Sequence, residues 1–249
     1  LQFAFRPFFL LAGIWAALAL PLWVAHFLGT PVLPPGIDAL NWHQHEMIYG
    51  FCLAAATGYI LTAIPNWTGR LPSSGSRLAL LAGLWLLGRA AFVLSDAIGP
   101  WLAAAGDLSL LFVLCAAIAR ELISARTWRN LPVLLLFIVF FIGNALVHME
   151  NLGFADSAAS GNRLGIYVLV ILVAVIGGRM VPSFTRNFLS RQGAESLPAP
   201  VGFYDRFCLA ALALFMPAYW IWPETQPSAV GAIIVAGLHI FRLVRWRGH

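Results

Sequence analysis

Few residues of this chain can do acid–base or metal chemistry from within an apolar setting, and histidines lead them. His26 ends one apolar run, His43 and His45 open the next, His148 closes a later one and His239 lies inside the last; His249 is terminal. Neutral imidazole is the commonest protein metal ligand and the usual axial ligand of haem iron. A lone histidine at the end of an apolar run is ordinarily an interfacial anchor, the plain reading of His26. Histidines brought to one depth from different helices are a stronger sign of a shared centre. His43, His45, His148 and His239 are therefore the candidate metal ligands, His239 differing from the others in depth.

The run Asn41-Trp42-His43-Gln44-His45-Glu46-Met47 is the densest polar cluster beside any apolar run. On a regular helix His43 and His45 are separated by about 200° of rotation and face different partners. His43 would share its stripe with Met47, Gly50, Ala54 and Gly58, and His45 with Tyr49, Cys52, Ala56 and Tyr59. Plain helix packing with two interfacial histidines is one reading; two histidines serving different centres is the other. His148 follows Asn144 by one turn, on a face shared with Phe137, Phe140 and Phe141. Glu46 and Glu150 lie near these histidines. Either is a partner that fixes an imidazole tautomer, a proton group or a solvated interfacial acid, and Glu46 is the better placed.

Arg89 and Asp107 sit about 10 Å inside the ends of consecutive antiparallel runs, which predicts a structural salt bridge between them. The alternative is that Arg89 holds an anionic cofactor group such as a propionate. Two stretches at the opposite membrane face, Ile64–Arg70 and Gly177–Asn187, each interrupt an apolar run with proline. They read as helix ends with interfacial anchors, or as a polar inner-face cluster of Asn66, Arg179, Thr185 and Asn187.

What positions these groups is a set of apolar helices. Of 249 residues 61% are hydrophobic and 10% charged, against about 25% charged in a soluble domain. A bilayer core of roughly 30 Å takes about 20 apolar residues as helix. Eight runs qualify or nearly do: Phe8–Phe27, His45–Ile64, Leu78–Leu94, Trp101–Ile118, Leu131–His148, Leu164–Val181, Phe207–Trp222 and Ala229–Leu243. None alternates as barrel strands do. With the connections numbered alternately inside and outside, thirteen of the fifteen arginines fall inside, Arg247 among them. The outside connections carry Asp38, Asp96, Glu150, Asp156 and Glu224 instead. This positive-inside pattern would be lost if a span were missed. Trp23, Trp42, Trp101 and Trp222 would form the outer aromatic belt, and Trp67, Trp128 and Trp246 the inner one. The net charge of +5 is thus membrane-flanking, and nucleic acid is not an expected partner. The three cysteines all fall in apolar runs and imply no disulfide framework. The fold class is all-α: a polytopic transmembrane helix bundle of about eight spans, one domain over residues 1–249, with both termini cytoplasmic.

The block His43-Gln44-His45-Glu46-Met47-Ile48-Tyr49-Gly50-Phe51, the stretch Gly58–Gly69 and the stretch Gly178–Thr185 resemble the NnrS family. So does the opening Phe5-Arg6-Pro7-Phe8-Phe9. The resemblance covers essentially the whole chain. It implies a bacterial inner-membrane protein that contains haem and copper and takes part in nitric oxide metabolism and protection from nitrosative stress. Members are usually longer, with further histidine-containing helices, so the chain corresponds to the N-terminal two-thirds of such a protein. The resemblance does not say which histidine binds haem and which copper. The bilayer and nitric oxide are the implied partners, and no residue is read as catalytic. Two other classes compete. One is a metal-free ion or solute transporter with Arg89, Asp107 and Glu46 along its path. The other is a quinol-linked membrane cytochrome.

Overall fold

The computed structural model describes residues 3–33, 38–194 and 196–246; Arg247 and His249 lie outside the described residues. Eight long helices follow one another: α1 Phe5–Phe27, α2 Ala39–Thr68, α3 Gly75–Val93, α4 Pro100–Ala125, α5 Leu131–Asn151, α6 Ala158–Arg191, α7 Phe203–Ile221 and α8 Gln226–Val244. No strand occurs among the described residues. Each expected apolar run lies on one of these helices, to within one residue at Leu94 and Trp222. Seven of them, all but α7, are long and apolar enough to cross a bilayer. In α7 the opening Tyr204-Asp205-Arg206 lowers the mean hydropathy of its 19 residues. Large apolar side chains such as Leu10, Phe112, Val173, Leu214 and Ile233 lie exposed along helices. Water penalises such a surface and hydrocarbon does not. The chain is a polytopic helical membrane protein.

Helix starts are encoded locally. The Asp38 carboxylate accepts from the Asn41 N–H at 2.7 Å to cap α2, and Pro100 occupies the first turn of α4, where its missing N–H costs nothing. Glu150 is such a device too. Its carboxylate accepts from the Ser157 and Ala158 N–H groups at 2.9 and 2.7 Å, closing the turn into α6.

Two expectations about prolines are corrected. Pro65 and Pro182 were expected to stop their helices, but α2 runs on to Thr68 and α6 to Arg191. A membrane helix tolerates proline where neighbouring groups absorb the lost hydrogen bond.

The chain divides into two compact units, Leu1–Ile166 and Tyr167–His249, the boundary falling within α6. In the first, α1 packs on α2, α3 on α4 and α4 on α5. Trp42, expected in the outer aromatic belt, is instead only 1% exposed and packs with Ala19, Leu33 and Phe92. Trp101 and Trp128 are exposed. In the second unit α7 pairs with α8. Arg242, counted among the flanking charges, is buried there. Its Nε donates to Asp205 at 3.0 Å and its Nη1 to the Ala174 carbonyl at 2.9 Å. Trp246, expected in the inner belt, is buried against that guanidinium.

Candidate metal centre

α2 does not keep one helical pitch. Between Glu46 and Cys52 it widens into a π turn, with the Leu53 N–H bonded to the Ile48 carbonyl. Such turns insert a residue and re-aim the side chains on either side. Gly50 permits it: a Cβ there would meet the Glu46 carboxylate, Arg89 and the Trp15 indole at 2.6 to 2.8 Å. The Trp85 indole donates to the Gly50 carbonyl at 3.0 Å. Gly50 and Gly58 face α1, where a Cβ would meet Trp15 and Phe8, and His43 meets the same helix through Trp23. His45 and Tyr49, both wholly buried, turn to another face.

On this face a wholly buried polar cluster assembles from α2, α3, α4 and α5. The Arg89 guanidinium donates through Nη1 to Glu46 Oε2 at 2.5 Å and through Nη2 to Asp107 Oδ1. The Trp15 indole on α1 adds a bond to Glu46 Oε2 at 2.7 Å. Asp107 Oδ2 faces three nitrogens: His45 Nε2 at 3.0 Å, His148 Nε2 at 3.0 Å and Asn144 Nδ2 at 2.8 Å. His45 Nε2 also lies 3.0 Å from Asn144 Oδ1, and its Nδ1 lies 3.2 Å from Glu46 Oε1. The His45 ring stacks on Phe92 at 4.2 Å. The end of the cluster is pinned by Tyr49, which donates to the Gly161 carbonyl at 2.6 Å, and by Asn162, which donates to Gln44 at 2.9 Å.

This donor set fits a metal ion. Both nitrogens of His45 face acceptor oxygens, yet a neutral imidazole carries one N–H. Arg89 balances only one of the two carboxylates. One further positive charge, a proton on His45 or a metal ion, settles both mismatches. One ligand atom from each of His45, Asp107 and His148 lies within 4.8 Å of the others. The 3.0 Å from Asp107 Oδ2 to each Nε2 is close to the edge of a tetrahedron, roughly 3.3 Å for ligands at about 2.0 Å. The same cluster does not hold a haem between two imidazoles: both aim at one carboxylate oxygen and converge on a point rather than flank a plane. Both terminal nitrogens of Arg89 are engaged by carboxylates, and its Nε is buried without a partner.

Of the four histidines expected as ligands, the structure brings His45 and His148 together, their ring centroids 5.7 Å apart. His43 points away and stacks on Trp23 at 4.1 Å. His239 lies in the second unit, its Nδ1 3.1 Å from the Val235 carbonyl. Asn66 is exposed in the first unit, its amide 3.4 Å from the Thr62 carbonyl. Arg179 and Asn187 are exposed and Thr185 half-buried on α6 in the second. Sequence reading missed Asn144 as a member of the site, although its place one turn before His148 was visible. Trp15 carried no signal, because an indole on an apolar helix reads as packing.

A family model described as NnrS protein matches residues 1–249. No curated protein and no solved structure matches the chain.

Proposed function

The chain belongs to the NnrS family, and from that premise we propose that it is a copper-binding membrane protein of the nitric oxide response. His45, Asp107 and His148 hold the ion. The observation that carries this reading is the His45 imidazole with a carboxylate at each nitrogen and His148 on the same Asp107 oxygen, a donor set that a bound cation satisfies. Glu46 accepts from His45 Nδ1 and so presents Nε2 to the metal as a lone pair, the usual arrangement for a metal-bound imidazole. Asn144 holds Asp107 in register, and Arg89 keeps the two carboxylates from repelling each other. A copper ion at this position supplies one-electron redox chemistry and a coordination position for nitric oxide, which is small, apolar and soluble in membranes. Family membership supports a bacterial inner membrane, and the distribution of arginines supports an N-terminus and α8 end on the cytoplasmic side. Arg89 is bound to both Glu46 and Asp107, which favours a fixed centre over a transporter's ion path.

Haem, which the family resemblance also implies, belongs elsewhere. His43 Nδ1 and His239 Nε2 are each buried without a hydrogen-bond partner, as an axial ligand is before iron binds. Each is a separate candidate. Loss of the Soret band in His43→Ala or His239→Ala identifies the ligand; a band unchanged in both variants overturns the assignment.

The metal centre is tested by copper analysis of the purified protein. The wild type is expected to retain copper through dialysis. His45→Ala, Asp107→Asn and His148→Ala should each weaken binding by more than about tenfold. Wild-type affinity in all three variants would sink the proposal, and so would a wild type that takes up no copper.

A further inference from the structure

Resting on that centre, the geometry points to a vestibule at the outer end of the bundle through which the copper ion is loaded. A cavity of about 430 Å³ opens beside α2, the turn after α3, and α5. Asp38 and Asp96 line it and are both exposed, so they stand at its mouth. Asn151 is exposed beside them, Asn41 is half-buried in the wall, and at the deep end are His148 and Phe92, both buried. Phe92 is the ring on which His45 stacks. The cavity floor is therefore the outer side of the ligand set.

Two features give the cavity a sign and a direction. Two carboxylates line it, and neither an arginine nor a lysine does. A recess of one sign with low-dielectric walls focuses its field, raising the local concentration and association rate of the opposite charge. It attracts a cation and disfavours an anionic ligand. The opposite side of the cluster is closed by Arg89, Glu46 and Trp15, which are bound to one another. An ion therefore reaches Asp107 and His45 past His148. The arginine distribution puts this mouth on the non-cytoplasmic face, so copper loads from outside the cell membrane and not from the cytoplasm.

The vestibule is tested by the rate of copper(II) uptake by the purified full chain at low and high salt. Asp38→Asn with Asp96→Asn leaves the ligands untouched, and asparagine still caps α2. Uptake by this double variant is expected to slow by about tenfold at low ionic strength, with the difference shrinking as salt is added. The final copper content should equal that of the wild type. Ala103→Trp, which fills part of the cavity, should slow uptake at every salt concentration. Equal uptake rates in the wild type and the double variant would overturn the vestibule while leaving the metal centre standing. A wild type that binds no copper would overturn the metal centre itself, and the vestibule with it.

Discussion

Replacing Arg89 by methionine is expected to cost the folded protein about 3 to 5 kcal/mol, the usual penalty for stranding one side of a buried ion pair. Here the guanidinium serves two carboxylates, Glu46 and Asp107, both buried. Without it two like charges face each other across the cluster with no water to screen them. The measurement is the temperature at which the detergent-solubilised protein loses its monodisperse size-exclusion peak. The companion variant Arg89→Met with Glu46→Gln removes one of the stranded charges and should recover part of the loss. A fall of under about 1 kcal/mol in the single variant, the scale of an exposed pair, would show that Arg89 does not hold the cluster together.

Gly161→Ala should be nearly as severe, at about 3 kcal/mol, the upper end for an overpacked site. A Cβ at Gly161 would collide with the Gly143 carbonyl oxygen and press on Val147 and Leu146 at 3.0 and 3.1 Å. Neither a backbone oxygen nor the helix that carries it can turn aside as a side chain does, so α5 and α6 must part. Small residues at membrane helix crossings exist to allow this approach. The shift would also break the bond from Tyr49 to the Gly161 carbonyl and move Asn144 and His148, which lie on the same helix as Gly143. Weaker copper binding should therefore accompany the lower stability. Gly13→Ala is the control, since nothing lies within 4 Å of a Cβ there. A Gly161→Ala protein as stable as the control would contradict the close crossing.

The helical spans were legible because hydrocarbon is an unforgiving solvent: long apolar runs, flanking arginines and few charges leave little else for the chain to be. His45, His148, Glu46, Arg89 and Asp107 were legible as residues, because an ionisable group within an apolar run needs a reason. Their grouping was not. Arg89 and Asp107 read as a pair of their own, and the histidines as a separate matter, because each is set on its helix by local spacing while their meeting depends on how four helices pack. The π turn was invisible for a related reason. It is held by Trp85 from α3 bonding the Gly50 carbonyl and by the space at Gly50 that Glu46, Arg89 and Trp15 occupy, all contacts between helices or across a widened turn.

By itself, then, the sequence determined the solvent, the number and rough limits of the apolar helices, the family, and the short inventory of buried groups able to bind a cation. Those follow from composition and from neighbours along the chain. The tertiary structure alone decided that His45 rather than His43 joins His148, that Asp107 links Arg89 to both imidazoles, and that a cavity leads to them from one side. Those are decided by helix rotation and crossing distance, which no spacing along the chain records.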